Sequence, residues 1–110
     1  MAFYYKVLGQ SAPSTTANAD LYTVASGRSA VVSSIAICNV TGTAATYRIF
    51  QRIAGAAAGV ANAIAYDATV AANSTTSVEL KITLGATDVI TVQSGTGSAL
   101  TFTANGSEIY

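Results

Sequence analysis

Thr76-Ser77-Val78-Glu79-Leu80-Lys81-Ile82-Thr83-Leu84 is the stretch that decides the fold. Val78, Leu80, Ile82 and Leu84 alternate with Ser77, Glu79, Lys81 and Thr83. Successive side chains of a strand point to opposite faces, so this pattern predicts a strand with one apolar and one polar face. A helix would instead repeat its apolar positions every three to four residues. The same alternation extends outward in both directions. Leu100, Phe102 and Ala104 alternate with Thr101 and Thr103, and Ile90 and Val92 with Val89, Thr91 and Gln93. Tyr47, Ile49, Gln51 and Ile53 alternate with Arg48, Phe50 and Arg52. Val31 to Val40 is apolar or small on both faces and reads as a central strand covered on two sides. Phe3–Leu8, Leu21–Ala25 and Ala63–Val70 supply weaker patterns and complete a set of eight predicted strands.

Turn chemistry separates these strands. Gly9-Gln10-Ser11-Ala12-Pro13-Ser14 reads as a loop; Thr41-Gly42-Thr43, Asn73-Ser74-Thr75, Gly85-Ala86-Thr87-Asp88, Gly95-Thr96-Gly97-Ser98 and Asn105-Gly106 read as turns, the Gly95 segment as that of a hairpin. The Ala-rich stretch Ala54–Asn62 is the one helical temptation, because Ala is the best helix former. Gly55, Gly59 and Asn62 dilute it and no apolar stripe recurs at the helical period, so it reads as a loop with at most one helical turn. Short strands linked by short antiparallel connections over residues 1–110 predict one all-β domain. The expected architecture is a two-sheet sandwich of jelly-roll type, with an immunoglobulin-like sandwich as the alternative.

Composition narrows the function. The chain has 110 residues with five Lys+Arg and five Asp+Glu, so its formal net charge is zero. Charged residues make up 9% of it, against about 25% in ordinary soluble domains. Zero net charge argues against nucleic acid as a partner, since phosphate binding needs an excess of cations. With no His, the commonest general base and transition-metal ligand are missing, and Cys38 has no imidazole partner from which to build a nucleophile. Cys38 therefore reads as a small buried residue. A lone Cys also forms no disulfide within the chain. The best membrane candidate, Ile53–Tyr66, is too short and too rich in Ala and Gly to span a bilayer, and no signal peptide is evident. The five carboxylates (Asp20, Asp67, Glu79, Asp88 and Glu108) are scattered, and Asp20 and Asp88 read as turn-capping residues. These features predict a non-enzyme without cofactor or metal. At a folded surface of about 5,600 Å² for this mass, so few charges leave large uncharged areas, which favours association with other subunits.

Aromatic and arginine residues mark the candidate contacts. Phe3, Tyr4 and Tyr5 place three of nine aromatics in the first five residues, either in an ordinary first strand or in an arm that pairs with a neighbour's sheet edge. Tyr110 closes the chain on another aromatic. Arg48 and Arg52 share a strand face with Phe50, a composition enriched at interface hot spots. Tyr22, Tyr47 and Tyr66 are the candidates for a sugar-stacking platform, a reading weakened by the absence of Trp.

Several segments carry a family resemblance. Val7-Leu8-Gly9-Gln10-Ser11-Ala12-Pro13, Asp20-Leu21-Tyr22-Thr23-Val24, Ser29-Ala30-Val31-Val32-Ser33-Ser34-Ile35, Cys38-Asn39, Ile64-Ala65-Tyr66-Asp67, Ile82-Thr83-Leu84-Gly85-Ala86-Thr87-Asp88-Val89-Ile90 and Gly106-Ser107-Glu108-Ile109 are similar, in order, to short virion structural proteins of tailed phages, notably those of cyanobacteria and other aquatic bacteria. One departure is the loop after the second strand, often Pro-containing in that family but Ala25-Ser26-Gly27-Arg28 here. The motifs bring no catalytic residues with them. The resemblance implies a capsid decoration (cement) protein that binds the exterior of the virion head as a homo-oligomer, expected to be a trimer, with the major capsid protein as partner. A tail, baseplate or fibre-associated component is the alternative, and a carbohydrate-binding sandwich module the second alternative.

Overall fold

A computed structural model describes residues 2–110 of the chain. Nine strands are formed: β1 (Phe3–Ser11), β2 (Ala19–Thr23), β3 (Ser29–Asn39), β4 (Ala45–Arg52), β5 (Ala63–Val70), β6 (Thr75–Val78), β7 (Ile82–Leu84), β8 (Val89–Ser94) and β9 (Leu100–Ile109). Two single 3₁₀ turns, Ile53–Gly55 and Val60–Asn62, lie between β4 and β5, in the stretch that the sequence marks as a loop with at most one helical turn. Sheet A has the order β1-β9-β3-β6, with β7 also pairing β3; sheet B has the order β2-β8-β4-β5. Every pairing is antiparallel.

Taken together, β6 and β7 lie along one side of β3, at its two ends, as one interrupted strand. The chain then crosses between the sheets at every connection except β4 to β5. This is the double Greek-key path of a jelly roll. The Gly95–Ser98 link, expected to close a hairpin, is one of these crossings, because β8 and β9 lie in different sheets. It is pinned where Ser98 N donates to Pro13 O at 2.9 Å.

The deciding stretch is interrupted in its middle. Glu79–Lys81 leave the ladder and Leu80 is exposed, while Ile82 and Leu84 are buried as predicted. Two further expectations are corrected. Gly9-Gln10-Ser11 is not a loop but the end of β1, and Asn105-Gly106 is not a turn but lies inside β9. Both glycines permit close approach of chains: a Cβ at Gly9 would collide with the Leu21 carbonyl, and one at Gly106 with the Val31 carbonyl. They sit where the β1–β9 and β3–β9 registers shift.

The core lies between the sheets. Phe102, Ile35, Ile37 and Leu84 of sheet A meet Ile49, Ile90 and Val92 of sheet B, with the Tyr47 ring edge-on to Phe102 at 6.5 Å. The strand buried on two sides is β8, not Val31–Val40: Val89, Ile90, Thr91 and Val92 are all buried, whereas β3 buries alternate residues. Arg52 and the segment after it cover the outside of β8. Its guanidinium donates to Thr91 Oγ1, Gly55 O and Ala56 O at 3.0, 3.0 and 2.6 Å, and Asp88 Oδ1 accepts from Ala54 N at 2.9 Å. The total surface of 5515 Å² matches the value expected for a chain of this mass.

Candidate functional site

The two chain ends form one structure. β1 pairs with β9 from Phe3 opposite Ile109 onward, and Ala2 and Tyr110 exchange backbone hydrogen bonds at 2.7 and 3.1 Å. The aromatic start is therefore an ordinary first strand of its own sheet. Tyr4 stacks on Tyr110 at 4.7 Å between centroids, and the Arg28 guanidinium sits 3.7 Å from the Tyr110 ring centre. Beneath them Glu108 is buried. Its carboxylate accepts from Tyr22 Oη at 2.7 Å and Lys6 Nζ at 3.0 Å, with Arg28 Nη1 at 3.5 Å. The Tyr22 hydrogen bond first, then that of Lys6, holds the Glu108 carboxyl below the usual carboxylate range; burial and the same bond push the Tyr22 phenol up. Glu108 reads from the sequence only as one of five scattered carboxylates, although its place at an apolar-face position of the last strand is a usable signal of its burial.

Phe3 and Tyr5 point the other way, onto the outer face of sheet A, and are 59% and 83% exposed. The ladder registers define this face rung by rung. Phe3, Ile109 and Ser29 form one rung, and Tyr5, Ser107, Val31 and Thr83 the next. Val7, Asn105 and Ser34 follow, then Gln10, Thr103, Ala36 and Ser77, and finally Thr101, Cys38 and Thr75. No Lys, Arg, Asp or Glu stands on any of these rungs. Cys38 is half-buried on this face and not in the core, because β3 has core on one side only. Of the ten exposed large apolar or aromatic residues among the described residues, five (Phe3, Tyr4, Tyr5, Val7 and Tyr110) lie at the β1–β9 end.

Two ion pairs stand on sheet B. Arg48 donates Nε and Nη2 to the Asp67 carboxylate at 2.7 and 3.1 Å, and its guanidinium lies 4.0 Å from the Tyr66 ring centre. That pair raises the Arg48 pKa and lowers that of Asp67. Arg52 Nη1 donates to Asp20 Oδ1 at 3.1 Å. Asp20 is thus an ion-pair partner within β2 and not a turn cap, while Asp88 does cap its turn, accepting from Gly85 N at 2.9 Å. Phe50 is buried yet stands apart from the core cluster, consistent with the outer side of sheet B. The sequence-predicted contact residues consequently fall into two groups on opposite sheets: Phe3, Tyr4, Tyr5 and Tyr110 together, and Arg48, Phe50 and Arg52 together, with both arginines already engaged inside the chain. Of the three tyrosines considered for sugar stacking, Tyr22 and Tyr47 are buried, and only Tyr66 is exposed.

Among the described residues no group of three or more His, Cys, Asp or Glu is placed to hold a metal ion, and no helix is long and apolar enough to cross a membrane. The fold and its surfaces define the class: an all-β jelly-roll sandwich whose sheet B carries two ion pairs and whose sheet A presents uncharged rungs outward. No family model matches the chain, and no curated protein does. Among solved structures it is similar to a chain in the structure of infectious bursal disease virus, Gx strain, at 12% identity and a TM-score of 0.55. The likeness covers 97% of this chain and 31% of the viral one, so this chain spans about a third of that chain's length.

Proposed function

We propose that this chain is a structural protein of a virion, and more closely a decoration protein that binds the outside of a tailed-phage head as a homo-oligomer, a trimer. The observation that carries this reading is the distribution of charge: the paired rungs of sheet A's outer face carry none, with Glu79 and Lys81 confined to the exposed break between β6 and β7 at its edge, while sheet B's outer face holds paired ions. An uncharged sheet face bearing exposed Phe3, Tyr5 and Val7 is costly to leave in water and suited to being covered. Its size also suits a subunit contact. Four strand positions at about 4.8 Å and a length of about 30 Å give roughly 600 Å², most of the about 800 Å² per partner of a standard interface. The occupant we assign is the neighbouring copy of the chain within that oligomer, because rungs free of charge meet no like-charge repulsion from another copy. The jelly-roll likeness to a chain from a virus structure and the resemblance to phage virion proteins support the same reading. The role is mechanical and non-catalytic: many copies resist internal pressure through multivalent contacts with the major capsid protein.

Binding of the purified protein to expanded empty heads of the parent phage tests the assignment. Saturable co-sedimentation with heads, together with density on the head exterior in electron cryo-microscopy of virions, is the expected result. Recovery in tail fractions alone would overturn it in favour of a tail, baseplate or fibre component.

A further inference from the structure

The outer face of sheet B carries a cleft of about 500 Å³ whose lining includes Thr16, Thr46, Arg48, Asp67, Gln93 and Gly95. A β-bulge builds it. Tyr47 pairs with Ala68 and Ile49 with Ala65, so Tyr66 and Asp67 together stand opposite Arg48. Asp67 adopts a left-handed backbone, φ 53°, and among the described residues it is the one non-glycine within a strand to do so. Bulges re-aim side chains, and such backbone strain persists where the surroundings enforce it, often at binding sites. Here the bulge aims the Asp67 carboxylate at the Arg48 fork and lays that planar pair beside the exposed Tyr66 ring.

The rest of the lining offers free hydrogen-bonding capacity. Gln93, opposite Arg48 in the ladder, donates Nε2 to Thr16 O at 2.8 Å, and its Oε1 has no partner among the described residues. A Cβ at Gly95 would collide with Thr46 Oγ1, so glycine leaves room for that hydroxyl, which is likewise unpartnered among the described residues. The charges of Arg48 and Asp67 cancel, so the cleft favours neither anions nor cations. An apolar ligand would strip water from these groups and return no hydrogen bonds. The ligand that fits brings its own donors and acceptors without net charge, and the cleft volume lies within the ordinary range for small-molecule sites.

We propose that this cleft binds a neutral saccharide, with Asp67 and Gln93 Oε1 accepting from sugar hydroxyls and Arg48 and Thr46 donating to its oxygens. The site lies on the sheet opposite the uncharged face and does not depend on what covers that face. Saturation-transfer NMR on the full chain with glucose, galactose, mannose, N-acetylglucosamine, maltose and lactose tests it. At least one probe should show transfer and saturable binding. Asp67→Asn tolerates the left-handed backbone, and Gln93→Ala lies outside the bulge, so both should fold; each should weaken binding about tenfold or more, the scale of a lost charge-assisted or buried hydrogen bond. Absence of transfer from all six probes, or binding unchanged in both variants with unaltered thermal unfolding, would overturn the proposal.

Discussion

Gly106 and Glu108, two residues apart on β9, show how single positions fix the structure. Gly106 has an ordinary strand backbone, so its role is space and not conformational freedom. Gly106→Ala drives a methyl into the Val31 carbonyl and should destabilise the protein by about 2–3 kcal/mol or more, as overpacking does; urea unfolding reads this directly. From the sequence, Asn105-Gly106 has the composition of a turn, and only the crossing of β3 against β9 explains why the chain stays extended there. Glu108 makes a pH prediction. Its carboxyl titrates lower in the folded chain than in the unfolded one, so its stabilisation is present above the ordinary glutamate value of 4.5 and is lost as pH falls through the lowered folded value. Lys6 and Arg28 are at least a third exposed, so their pairs are weak, and Glu108→Gln keeps an acceptor for Tyr22. At pH 7 the variant should lose about 1 kcal/mol. The gap to the parent protein, followed by urea unfolding from pH 7 to pH 3, should close toward zero; a constant gap would show that the charge of Glu108 contributes nothing.

At the scale of elements, alternation located the strands but not their interruptions or their covering. Residues 76–84 alternate without a break, yet Glu79, Leu80 and Lys81 step out between β6 and β7, and the two charges flanking Leu80 stay in water. Leu80→Thr should therefore change stability by no more than about 0.5 kcal/mol. Ile82→Ala, two residues on, should cost about 2–4 kcal/mol as a cavity in the core. Thermal unfolding of the two variants separates an interrupted strand from a continuous one, for which both would be costly. The exchange between β3 and β8 has a similar origin. Both segments are apolar enough for two-sided burial. Which one is covered depends on where Arg52 and the 53–62 segment fold, and that is a long-range matter set by Asp20, Thr91 and Asp88. The Ala63–Val70 strand, by contrast, has the limits its own residues suggest.

On the scale of the whole molecule, ten charged residues in 110 predict a surface with large uncharged areas. Their positions were not legible in the chain order. Lys6 lies in β1 and Glu108 in β9, both strands of sheet A, yet both turn toward Tyr22 and away from the outer face. Asp20, Arg48, Arg52 and Asp67 converge on sheet B only because β2, β4, β5 and β8 fold into one ladder. The contact residues read from the sequence were accordingly a mixture of two surfaces that the fold separates. Among the described residues nothing covers the sheet A face, and a copy of the chain is the occupant we propose for it.

Sedimentation equilibrium of the native chain beside the double variant Val31→Lys, Thr103→Lys tests this most directly. Both positions stand on the outer face of sheet A, outside the core, so the variant should keep the native β-sheet circular dichroism and thermal midpoint. The native chain should sediment as an oligomer at micromolar concentration and the variant as the 11.1 kDa monomer. A native chain that stays monomeric, or a variant that assembles as well as the native chain, would contradict the account.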